Sequence, residues 1–245
     1  SEMCIRDRII TIPIATSEEI EKDGIVGRVF VPITERVKVL CELVNRFAQL
    51  KNKKPQERRV AIILHNYPPR NYLIGSAHGL DTPNSLWNIL QFLKEENYNL
   101  DFNFLNGQEI IDELIRRGTN EWKWTSPETI WKFKADKVSS KTYEGWYKNL
   151  PEFNRSDLKQ KWGNPPGLSM LMNEHIVIPG IINGNIYIGL QPARSPEDAV
   201  VETYHDTHNP PPHSYLAFYK WIDKIFKADV IIHVSQRRPR LGEFK

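Results

Sequence analysis

The sequence has 245 residues, 40% of them apolar and 11% aromatic, enough for one large α/β domain or two small ones around a buried core, and unlike a disordered tail. Its net charge of +3 lies wholly in residues 235–245, where Arg237, Arg238, Arg240 and Lys245 face Glu243, so the rest is neutral and argues against a nucleic-acid-binding face. No apolar run nears the roughly 20 residues that cross a bilayer, Ser1–Arg8 holds no leader-like stretch, and the only cysteines are Cys4 and Cys41. A cytoplasmic protein without disulfides or membrane partners is expected.

Residues 1–32 form an N-terminal segment. From 33 to 50, Val37, Leu40, Cys41, Val44 and Phe47–Ala48 recur at three-and-four spacing and predict an amphipathic helix. Val60–Leu64 is a β-branched and aliphatic run, the pattern of a strand buried on both faces. A Pro- and Gly-rich loop, 66–81, leads to Thr82-Pro83, where Thr can cap a helix and Pro can open it, with Leu86, Ile89, Leu90 and Leu93 inward. A second helix spans about 108–117. Residues 118–165 hold five of the seven Trp and are expected to be a helical insert.

Two strands, 176–182 and 185–190, are expected to be joined through the turn pair Asn183-Gly184. The loop 191–213 leads to a helix over 214–226 and a last strand, 228–234, with His233 near its end. The order predicts an α/β fold of Rossmann-like βα units with a parallel sheet, a β-hairpin and a helical Trp-rich insert. In such folds ligands bind at the carboxyl ends of the strands.

Four places could carry chemistry. His65, Asn66, Tyr67 and Arg70 leave the first buried strand on a proline-stiffened loop that ends at Asp81; an ordinary βα turn with a capping Asp would look the same. Gln191 and Arg194 follow the hairpin, and Arg194 could grip a carboxylate through its planar fork or be a plain surface residue. His205, Asp206, His208 and His213 form a dense set of metal donors or proton acceptors just before Tyr215 and Tyr219, without a standard zinc spacing. His233 could be a ligand or a satisfied core residue. The sequence has no Walker-type phosphate loop, no G-x-G-x-x-G and no G-x-S-x-G, so any ATP hydrolysis would fall to another polypeptide.

Several of these segments together resemble the CobN family, the large subunit of ATP-dependent cobaltochelatase. The blocks are Val60–Arg70, Ile74-Gly75, Gly79–Pro83, Trp162–Gly167, Ile178–Gly180, Gly184–Pro192, Tyr204–Asp206 and Pro210–Trp221, spread in order over about 33–234. The resemblance implies an internal fragment of a subunit that binds a corrin-precursor tetrapyrrole and Co2+ as substrates. AAA+ partner subunits would hydrolyse the ATP. It further implies His205, Asp206 and His213 as catalytic groups and His205, His213 and His233 as metal-handling ones. His65, Asn66, Tyr67, Arg70, Asp81, Gln191, Arg194, Tyr215 and Tyr219 would bind the macrocycle.

The related magnesium chelatase large subunit shares the Pro210–Tyr219 region and is the alternative, as are a non-catalytic tetrapyrrole or metal carrier and an unrelated metal hydrolase. Residues 1–8 and 235–245 depart from the family pattern. So does the segment between Arg194 and Tyr204, and the Gly-x-His-Gly-x-x-Glu-Trp block expected after His233 is missing. The fragment alone is expected to be inactive.

Overall fold

The computed structural model describes residues 12–22, 25–66, 70–75, 79–117, 120, 126–194 and 210–234. The chain divides between Lys53 and Lys54 into two compact units. In the first, β1 (Ala15–Lys22) and β2 (Ile25–Pro32) form an antiparallel hairpin that the sequence reading did not foresee. Helix α1 (Thr34–Asn52) follows where the periodicity places it. Its apolar stripe is not buried within this unit: no residue of α1 is fully covered, and Val39, Val44 and Phe47 are exposed, as is Cys41.

The second unit is built on a four-stranded sheet in the order β7 (Ile181–Asn183), β8 (Ile186–Leu190), β3 (Val60–Leu64) and β9 (Val230–Val234). Its central strand, β3 (Val60–Leu64), is parallel to β8 (Ile186–Leu190) on one side and to β9 (Val230–Val234) on the other. Both faces of β3 are covered, which is why the run is apolar without alternation. Val60, Ile62 and Leu64 pack with Leu86, Leu90 and Leu93 of α2 (Thr82–Glu95) and Ile110, Ile111 and Leu114 of α3 (Gly107–Arg117). Ala61 and Ile63 face the opposite layer, with Ala217, Phe218 and Trp221 of α7 (His213–Trp221). The expected α/β class with a parallel sheet and a β-hairpin is observed.

Helices do fill most of 118–165: α4 (Pro127–Phe133), α5 (Ser140–Lys148) and α6 (Glu152–Trp162). Between them lies an unforeseen strand, β4 (Asp136–Ser139), in a small antiparallel sheet with β6 (His175–Ile178) and β5 (Leu171–Met172). This sheet backs α7, and the Trp221 indole N–H donates to Asp136 Oδ2 at 2.7 Å.

Three expectations are corrected. The run 176–182 is two strands in two sheets, because Pro179 has no amide to donate and Gly180 turns at φ +131; a Cβ there would lie 2.6 Å from the Ile188 carbonyl oxygen. The hairpin to β7 (Ile181–Asn183) turns on Gly184-Asn185, of which only Gly184 has positive φ. Asn183 is instead the last residue of the strand. Helix α2 is capped by Asp81, whose carboxylate accepts from the Asn84 amide at 3.1 Å, while the Thr82 hydroxyl donates to the Gly75 carbonyl. Among the described residues no helix is long and apolar enough to cross a membrane.

Candidate functional site

The parallel register brings the ends of β3, β8 and β9 level. Leu64 pairs with Leu190 and Val234, the His65 amide donates to the Val234 carbonyl at 3.1 Å, and the Gln191 amide donates to the Leu64 carbonyl at 2.9 Å. The chain segments that leave these strands therefore start side by side. The loop after β3 is pinned back on this edge, since the Gly75 amide donates to the His65 carbonyl at 2.7 Å. Gly75 holds φ +66 beneath Thr82, where a Cβ would lie 2.4 Å from Thr82 Cγ2.

Side chains continue what the register begins. Asn66, 5% exposed, donates through Nδ2 to the Arg70 carbonyl at 3.0 Å. Gln191 donates through Nε2 to the Tyr215 hydroxyl oxygen at 2.7 Å, which joins the loop after β8 to α7. The Arg194 guanidinium lies 5.5 Å from the centre of the Tyr215 ring, a cation–π distance. Tyr215 meets Tyr219 at 5.0 Å, and Tyr219 stacks on His233 at 6.1 Å with 25° between the planes. Arg194, Tyr215, Tyr219 and His233 thus form one row at the carboxyl edge of the sheet. Burial holds the half-buried His65 imidazole below its ordinary pKa.

His213 stands apart from that row. It is 2% exposed at the start of α7, and both ring nitrogens are occupied. Nε2 lies 3.1 Å from the Gly163 carbonyl oxygen, which can only accept, so Nε2 carries the proton. Nδ1 then accepts from the Tyr143 hydroxyl at 2.7 Å. Tyr143 and Tyr147 pack on the ring, and Gly167 leaves room for it, since a Cβ there would come within 2.9 Å of Cδ2. Burial lowers the pKa of His213 and the Gly163 carbonyl partly offsets this. As a metal ligand or a general base, His213 has no lone pair to offer in this geometry. Trp162 completes the seam by donating to the Pro210 carbonyl at 2.8 Å.

The other expected residues divide plainly. The Asp81 carboxylate serves as a helix cap, and the exposed Arg70 contributes its carbonyl to Asn66. Tyr67, His205, Asp206 and His208 lie outside the described residues. Among the described residues no three His, Cys, Asp or Glu side chains converge to hold a metal ion. Asn120 and Tyr143 sit in no readable motif, and Asn183, expected in a turn, bonds the backbone of Asp101 and Phe102 instead.

The family model described as CobN/Magnesium Chelatase matches residues 5–237. The chain belongs to the CobN/magnesium chelatase family. It is 41% identical to an uncharacterized protein of Methanocaldococcus jannaschii over 93% of this chain and 19% of that protein. It is 33% identical to the aerobic cobaltochelatase subunit CobN of Pseudomonas aeruginosa over 94% of this chain and 18% of the relative. Among solved structures, the catalytic subunit of cobaltochelatase from Mycobacterium tuberculosis superposes with a TM-score of 0.75 at 31% identity, over 92% of this chain and 18% of that one. The chain thus spans about a fifth of the length of the relatives it matches. Trp162 donates to the Pro210 carbonyl, His213 to the Gly163 carbonyl, and Gln191, just after β8, to the Tyr215 hydroxyl, so three of the segments quoted for the resemblance meet at α7.

Proposed function

We propose that this chain is part of the large, tetrapyrrole-binding subunit of a cobalt chelatase. The reaction would insert Co2+ into a corrin precursor of the hydrogenobyrinic acid a,c-diamide type for cobalamin biosynthesis, with ATP hydrolysed by AAA+ partner subunits. The observation that carries this reading is the row Arg194, Tyr215, Tyr219 and His233 at the carboxyl edge of a parallel sheet, where such folds place ligands. A planar macrocycle with peripheral carboxylates needs ring faces to lie against and cations to meet its rim; the partly exposed Tyr219 and His233 rings and Arg194 offer both kinds of group, and Tyr215, 2% exposed, backs them.

Metal insertion also needs a dehydrated cation and acceptors for two pyrrole N–H protons. His205 and Asp206 are the proposed proton acceptors, with His205 and His233 the proposed escorts of the metal. They belong to the chain that enters α7 and to the strand that stacks on it. Asn66, Gln191 and His65 would face the macrocycle from the other two strand ends, with Tyr67, Arg70 and Asp81 on the loop beyond. His213 is withdrawn from the catalytic and metal sets. It fixes the start of α7 and so places Tyr215 and Tyr219.

The test is metal insertion by the full chain with its ATPase partners and ATP, with each metal offered to each macrocycle. Cobalt insertion into the corrin precursor supports the proposal. Insertion of Mg2+ into protoporphyrin IX alone would assign the magnesium branch. Binding of a macrocycle without insertion of either metal would leave a non-catalytic carrier.

A further inference from the structure

Asn120 is one described residue of the Trp-rich stretch, and its carboxamide sits between the loops that leave β3 and β8. Nδ2 donates to the Gln191 carbonyl at 2.8 Å and to Asn66 Oδ1 at 3.4 Å, while Oδ1 accepts from the Ala193 amide at 3.3 Å. The orientation is determined chemically: the atom facing the Ala193 N–H must be an acceptor, and the atom facing two oxygens must be a donor. Through these bonds the Arg70 carbonyl, Asn66, Asn120, Gln191 and Tyr215 form one continuous chain. That chain crosses two strand ends and reaches the helix that bears Tyr215 and Tyr219. Asn66 is buried, so it depends on protein partners rather than water.

We infer that Asn120 is a positioning residue that locks Asn66, just after β3, to Gln191 and Ala193, just after β8, as a single rigid wall of the macrocycle site, an inference that rests on the functional reading above.

The test compares Asn120→Ala and Asn120→Asp with wild type in the full chain. Alanine removes all three bonds. Aspartate keeps an acceptor for Ala193 and turns a second oxygen against Asn66 Oδ1 and the Gln191 carbonyl. In Asn120→Ala the Ala193 amide should exchange with deuterium roughly ten-fold faster, the rate change for one lost local hydrogen bond. Both variants should bind free-base hydrogenobyrinic acid a,c-diamide roughly ten-fold more weakly. Unchanged exchange at Ala193 would overturn the lock whatever binds there. Faster exchange with unchanged affinity would make Asn120 a brace with no part in the site, which also overturns it. Wild-type protein that fails to bind the macrocycle at all would instead defeat the functional reading, and with it this role.

Discussion

Tyr143 donates its hydroxyl proton to Nδ1 of His213 across 2.7 Å, and that bond decides what His213 does. With Nε2–H turned to the Gly163 carbonyl, the imidazole is neutral, fully bonded and sealed between α5, the 163–167 loop and the first turn of α7. His213→Ala should therefore act on stability first, leaving a buried hydroxyl and a carbonyl without partners and a void between aromatic rings. A loss of about 3 kcal/mol in chemical denaturation is expected. Tyr143→Phe, which removes a single bond, should lose about 1 kcal/mol. A His213→Ala protein of wild-type stability would show that the seam does not hold α7.

The same burial makes stability depend on pH. His65 and His213 are both held below their ordinary value of 6.5, chiefly by desolvation. Below 6.5 the unfolded chain takes up protons at these sites before the folded chain does, and so gains on it. Their contribution is thus complete above 6.5 and is lost as the pH falls from there towards the folded-state values. Thermal melts from about pH 8 to about pH 5 should show Tm dropping on the acid side. A flat profile contradicts buried neutral imidazoles.

Asn183, fully buried, makes a further prediction. Its Oδ1 accepts from the amides of Asp101 and Phe102 at 2.7 and 3.0 Å, and its Nδ2 donates to the Phe102 carbonyl at 2.8 Å. It takes the place of a neighbouring strand at the edge of β7. Asn183→Ala should lower stability by about 3 kcal/mol, with three backbone groups left unbonded. Asn183→Asp should be no milder, since an oxygen would then oppose the Phe102 carbonyl. A loss below about 1 kcal/mol would mean that water replaces the side chain without penalty.

The sheet and its two helical covers were legible because burial on both faces leaves a mark in sequence. Val60–Leu64 can only be a central strand, and the stripes of α2 and α3 pack on its three even-numbered residues, Val60, Ile62 and Leu64. The hairpin β1–β2 was illegible because its apolar residues, among them Ile20, Val26 and Phe30, are exposed and bear no simple alternation. The break at Pro179-Gly180 was misread because the apolar run continues across it while the hydrogen bonding changes sheets. The structure brings His65, Asn66, Gln191 and His233 to one edge of the sheet, and these positions were legible because strand ends can be located in a sequence. The bond from Tyr143 to His213 spans 70 positions, and the bonds of Asn120 span 54 to 73. No local pattern encodes such pairings, so the histidine read as a ligand proved to be bonded on both sides.

Arg194, Tyr219 and His233, with the buried Tyr215 behind them, are the proposed seat of the macrocycle. The direct measurement is an absorbance titration of free-base hydrogenobyrinic acid a,c-diamide with the full chain and with its Arg194→Gln and Tyr219→Leu variants. Wild type should bind saturably, and each variant with an affinity about five- to ten-fold lower, the scale of one ring contact or one charge-assisted bond. Wild-type affinity in both variants would contradict that seat.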